Sequence, residues 1–68
     1  MQEIDPHIRL REVERITGLS KSSVYRLEAL GDFPKRVKLS ARASAWKASE
    51  VTKWLAGRPR ATSAQAAA

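Results

Sequence analysis

Arg11–Gly31 reads REVERITGLSKSSVYRLEALG, and its spacing predicts two short helices joined by a tight turn. Val13 and Ile16 stand three apart, on one face of the first helix. Gly18 follows, where a left-handed backbone ends a helix without a Cβ penalty. Ser20 is placed to cap the second helix, its hydroxyl accepting an orphan amide hydrogen. Val24 and Leu27 form the buried stripe of that helix, Gly31 marks its end, and Leu19 in the turn points back between the two. This is the layout of a helix-turn-helix, whose second helix enters the major groove of DNA. A plain helical hairpin with a solvated outer face has the same spacing.

On a helical wheel Lys21, Ser22, Tyr25, Arg26 and Ala29 fall outside the Val24–Leu27 stripe, and most of them are short or hydrogen-bonding, as a groove-reading face requires. The Arg26 guanidinium can bond two acceptors of a guanine at once; the alternative is an ion pair with Glu12, Glu14 or another acid. Ser22 and Tyr25 are expected to fix register, Tyr25 through its hydroxyl on a phosphate or its ring on a thymine methyl. Lys21, at the helix start, is expected to act mainly through its charge.

The 68 residues make one small domain, long enough to bury about 60% of its unfolded surface. With no cysteine, neither a disulfide nor a cysteine-based zinc site can staple it. No run approaches a transmembrane length and MQEIDPH lacks a signal-peptide pattern, so a cytoplasmic protein without membrane contact is expected. The net charge of +6 is uneven. Through Asp32 five basic residues face six acids (net −1); from Phe33 onward eight face Glu50 alone (net +7). Such an excess suggests a polyanionic partner, nucleic acid above all. An anionic membrane is the competitor, but no segment pairs a basic face with a broad apolar one.

Ahead of the helices, Met1–His7 reads as a frayed lead-in containing the turn-favouring Asp5-Pro6. Ile8 and Leu10 alternate with Arg9 and Arg11, which suggests a short extended piece under the first helix. His7, without a cysteine or second histidine, reads as a surface residue. After Gly31, Asp32-Phe33-Pro34 interrupts the helix and Phe33 plugs the end of the core. In Lys35–Leu39, Val37 and Leu39 alternate with Arg36 and Lys38, a half-buried strand with a basic outer face. Ser40-Ala41-Arg42 is the expected turn and Ala43–Trp46 the returning strand, giving a wing that carries Lys35, Arg36, Lys38 and Arg42. A solvated basic loop is the other reading.

A third helix is expected over Lys47–Ala56, with Ala48, Val51 and Leu55 on its stripe, Trp54 at the edge, and Ser49 or a slightly earlier residue as cap. Gly57 and Pro59 stop it. Trp46 and Trp54 neighbour apolar positions, so the core claims them rather than DNA stacking. The domain is thus expected over 8–56, and 57–68 reads as a disordered tail whose Arg58 and Arg60 brush phosphates. No repeat, phosphate-binding glycine loop, catalytic constellation or metal-ligand cluster is visible, so neither an enzyme nor a cofactor is expected.

Four motifs in order resemble the AlpA-type regulators of prophages, small winged-helix relatives of the MerR DNA-binding domain and of phage excisionases. They are IRLREVxxxTGLSKSSVYRL from Ile8, GDFPK from Gly31, KLSARAxAW from Lys38 and SEVxxWL from Ser49. The resemblance implies a mainly α winged helix-turn-helix of three short helices and a small β-hairpin wing. It also implies sequence-specific binding of double-stranded DNA and a role in transcription or recombination of a mobile element. Ser20, Lys21, Ser22, Ser23, Tyr25 and Arg26 match its recognition-helix motif, Lys38 and Arg42 its basic wing positions, and Trp46, Val51, Trp54 and Leu55 its structural positions. A recombination directionality factor working with an integrase is the nearest rival on the same fold. An adaptor docking an integrase or RNA polymerase is the rival from another class. The chain is expected as a monomer or weak dimer, with several copies able to share one DNA. MerR proteins continue into a long dimerisation helix, and no such helix follows in these residues.

Overall fold

A computed structural model describes residues 5–60. The elements are β1 (His7–Ile8), α1 (Leu10–Thr17), α2 (Lys21–Ala29), β2 (Val37–Ser40), β3 (Ala43–Lys47) and α3 (Ala48–Ala56). Three helices thus pack with one small antiparallel sheet of order β1-β3-β2.

Local chemistry accounts for the α1–α2 turn. Gly18 adopts φ 77° and its amide donates to the Glu14 carbonyl at 2.8 Å. The Thr17 hydroxyl donates to the Val13 carbonyl at 2.7 Å and accepts from the Leu19 amide at 3.1 Å, bracing the turn from inside. Ser20 caps α2, accepting the Ser23 amide at 3.2 Å. At the far end Gly31 (φ 83°) closes a Schellman motif: the Asp32 amide donates to Leu27 at 2.8 Å and the Gly31 amide to Glu28 at 3.0 Å.

The core is Val13, Val24, Phe33, Trp46 and Val51, with Ile8, Leu10, Leu19, Tyr25, Leu27 and Trp54 packed around it. Trp46 is fully buried and its indole N–H donates to the Pro34 carbonyl at 3.1 Å. Phe33 lies edge-on to Trp54, ring centroids 4.8 Å apart, so the plug after α2 meets the stripe of α3. Both tryptophans therefore belong to the packing, and Val51 lies in the core as the spacing predicts, while Leu55 is half-buried.

Several expectations are corrected. Asp5–His7 is not a frayed lead-in. The Pro6 carbonyl accepts the Ala48 amide at 2.8 Å, and His7 and Ile8 pair with Lys47 and Trp46. The cap of α3 comes from Asp5, whose carboxylate accepts the Ser49 amide at 3.1 Å and the Ser49 hydroxyl at 2.7 Å. Lys47, slightly ahead of Ser49, occupies the N-cap position as expected but gives no side-chain bond of its own. These bonds hold the Asp5 carboxyl below its ordinary pKa. Leu10 opens α1 instead of continuing an extended piece, and Lys47 ends β3 ahead of α3.

Two apolar side chains expected inside are outside: Ile16 is 39% and Leu39 51% exposed. Leu39 sits in a register shift, since Lys38 pairs with Ser44 and Ser40 with Ala43, and the bulged residue turns out of the alternation. Arg58 is no free tail residue, for its guanidinium lies 4.3 Å from the centre of the Trp54 ring. The rest of the lead-in (1–4) and tail (61–68) lies outside the described residues.

Candidate nucleic-acid interface

The α1–α2 turn presents α2 with one side committed and the other open. Val24 and Glu28 are buried, whereas Lys21, Ser22, Arg26 and Ala29 are exposed. Ser20 and Ser23 bond each other, the Ser20 hydroxyl donating to the Ser23 hydroxyl at 3.1 Å, so both hold the first turn. Arg26 does not take the intramolecular route. Glu12 is paired with Arg15, which lowers the carboxyl pKa and raises that of the guanidinium, and Arg26 has no acid partner among the described residues. Tyr25 is half-buried, its ring 6.2 Å from that of Trp46 and tilted by 44°. It therefore ties the outer side of α2 to the sheet.

The basic residues after α2 divide. Arg36 folds back on Glu28, a carboxylate only 6% exposed: the Arg36 amide donates to it at 2.7 Å and the guanidinium pairs with it. The same guanidinium lies 5.1 Å from the centre of the Tyr25 ring. Burying Glu28 without that counter-charge would cost more than a surface pair ever returns. Arg36 is thus first of all an internal counter-ion, a role its alternation with Val37 and Leu39 does not reveal. Lys35 and Lys38 share a shallow cleft of about 300 Å³ with this pair, and both are exposed. Arg42 sits at the hairpin turn, its amide donating to the Ser40 hydroxyl at 3.3 Å and its side chain exposed.

Arg9 and Arg11 escaped the sequence reading. They line a cleft of about 360 Å³ with Leu10, Tyr25, Arg42, Ser44 and Trp46. The pairing of Ile8 with Trp46 brings them beside the hairpin, and nothing local in the sequence announces that contact. Among the described residues no three His, Cys, Asp or Glu side chains are grouped to hold a metal, and no helix is long and apolar enough to cross a membrane.

The model of the family described as prophage CP4-57 regulatory protein (AlpA) matches residues 7–59, which takes in all six elements. The chain belongs to the AlpA family. The chain is also 47% identical over 51 residues to the uncharacterized protein ORF88 of Enterobacteria phage P4. That match covers 75% of this chain and 58% of the phage protein, so the chain spans little more than half the length of that relative.

Proposed function

We propose that the chain is a winged helix-turn-helix that binds duplex DNA in a sequence-specific way and regulates transcription from a prophage or similar mobile element. The observation that carries this reading is the open side of α2, where Lys21, Ser22 and Arg26 are exposed and Arg26 is unpaired among the described residues. On this reading α2 lies in the major groove. Arg26 reads a base through two parallel N–H donors, Ser22 and Tyr25 set the register, and Lys21 meets a phosphate. The β2–β3 hairpin is the wing, with Lys35, Lys38 and Arg42 following the backbone. Residues 8–56 act as the DNA-binding unit, with 57–68 as an appended basic, alanine-rich tail.

Family membership supports the regulatory side of the reading, and the excess of basic over acidic residues after Phe33 supports a polyanionic partner. The deciding experiment is selection of genomic fragments by the purified protein at physiological salt, with the consensus read from them. Sites over promoters support transcriptional control, with RNA polymerase as the machinery affected. Arrays of sites at an attachment locus move the role to recombination beside an integrase. No enrichment over random fragments defeats the DNA reading and favours an adaptor.

A further inference from the structure

Arg9, Arg11 and Arg42 come from two separate stretches of the chain and meet around one cleft. Arg9 precedes α1, Arg11 lies in its first turn, and Arg42 forms the tip of the hairpin. All three are exposed, and none has an acid partner among the described residues. The local field does not explain them. Cations near the start of a helix are disfavoured by its dipole, and three like-charged residues lining one concavity repel one another. Nothing in the packing offsets that repulsion, whereas an anion in the cleft would. Leu10, Tyr25, Ser44 and the buried Trp46 complete the lining, so the cleft has apolar and polar surface beside its charges.

We infer that this cleft seats a backbone phosphate of the bound DNA, as an anchor that carries no sequence information; the inference rests on the DNA reading above. Guanidinium forks match the tetrahedral oxygens of a phosphate, and a phosphate stands proud of the duplex where a recess can receive it, whereas base edges lie within the grooves. Tyr25 belongs both to the wall of the cleft and to α2, so a phosphate held here fixes how α2 approaches the groove. Arg9 and Arg11 thereby join the interface from the element preceding the two-helix unit.

The test uses the whole chain, its selected duplex, and three variants: Arg9→Gln with Arg11→Gln, Arg42→Gln alone, and Lys47→Gln with Lys53→Gln. The lysine pair lines a different groove and controls for net charge. Circular dichroism confirms folding, which substitution of exposed side chains should leave intact. For the Arg9/Arg11 variant the slope of log affinity against log salt should flatten by about one, the share of a single phosphate, and for Arg42→Gln by no more than that, with the selected consensus unchanged. Replacing one backbone phosphate at a time by an uncharged methylphosphonate should weaken wild type roughly tenfold at one or two adjacent positions and weaken the Arg9/Arg11 variant, which keeps Arg42, much less there.

An unchanged slope in the arginine variants, or an equal flattening in the lysine variant, overturns the anchor. A consensus altered at one base overturns it too, because the arginines would then read sequence. Inorganic phosphate that competes with DNA beyond chloride of equal ionic strength, with no position sensitive to methylphosphonate, makes the cleft a free-anion site instead. Wild type without affinity for any duplex removes the DNA reading and the anchor together, an outcome distinct from a binding protein whose slope ignores Arg9 and Arg11.

Discussion

Pro34–Arg36 and Lys38–Arg42 are neighbouring basic stretches with the same composition logic and opposite attachments. In the first, the Pro34 carbonyl takes the Trp46 indole N–H, and the Arg36 amide and guanidinium both go to the buried Glu28. In the second, Lys38, Leu39 and Arg42 are exposed, and neither Lys38 nor Arg42 has an acid partner among the described residues. A basic residue is available to a polyanion only if the fold has not already used its charge. Counting charge by segment treats the two stretches alike, although the fold commits the charge of Arg36 and leaves that of Lys38 and Arg42 open.

The largest effect is expected at the joint. Trp46→Ala removes a fully buried ring and the donor that holds Pro34, so it should destabilise by about 3–5 kcal/mol, comparable to the whole stability of a small domain. Circular dichroism should show a chain that is largely unfolded at room temperature. A folded, cooperatively melting Trp46→Ala protein would mean that the joint is not what holds the sheet to α2.

Next comes the Glu28–Arg36 pair. Arg36→Ala strips the counter-charge from a buried carboxylate that keeps only its bond to the residue 36 amide. Because the Arg36 side chain is 40% exposed, the cost should fall to about 1–3 kcal/mol, below that of breaking a fully buried pair. Replacing both partners, as Glu28→Leu with Arg36→Met, should recover most of the loss, since no uncompensated charge remains. Denaturant titrations of the singles and the double give the coupling, and additive losses would show that the pair contributes nothing as a pair.

The parts of this molecule readable in sequence are those decided within a few residues. Gly18, Ser20 and Gly31 end and begin helices through bonds to neighbours one turn away, and their residue types suit that geometry alone. Phe33, Trp46 and Val51 are large or flanked by apolar positions, and a domain this small must bury them. What stayed hidden depends on distant partners. The bonds from Ser49 to Asp5 span 44 residues, and Arg9 and Arg11 share a cleft with Arg42 through the packing of β1 and α1 on β3. Ile16 and Leu39 show a second limit. Three residues along a helix is 300° of rotation, so Ile16 lies about 60° off Val13 and reaches the margin of so short a helix. At Leu39 one bulge reverses an alternation that is otherwise sound.

At the tip and along the open side of α2 the losses should appear in binding, not in folding. Arg26→Ala should cost about 1–3 kcal/mol on the specific site and relax preference at one base position, with non-specific binding little changed. Lys21→Ala should weaken specific and non-specific binding together. Arg42→Ala should leave the melting curve where it is and flatten the salt slope by about one, against the destabilised but electrostatically milder Arg36→Ala. Sequence selection and salt titration on the same proteins check all four, and a base preference unchanged by Arg26→Ala would withdraw the reading role from that side chain.

The smallest effect expected is at Asp5, which sharpens the comparison because it is only half-buried yet structural like the joint. Its carboxylate caps α3 through the Ser49 amide and hydroxyl, and those two bonds, with smaller help from His7 and Lys47, lower its pKa below the unfolded value. A group with a depressed folded pKa binds its proton more weakly in the native state, so protonation favours unfolding. The stability it contributes is therefore complete above the ordinary aspartate pKa of about 3.9 and drains away as pH falls through the lower folded value. Glu12, lowered by its bond to Arg15, titrates in the same direction and would blur a measurement on wild type alone. The informative quantity is the difference in unfolding free energy between wild type and Asp5→Asn across the acid range. It should favour wild type at neutral pH and shrink toward zero in strong acid, while DNA affinity at neutral pH stays the same. A difference that holds constant from neutral to acid pH would show that the cap works through shape and not through charge.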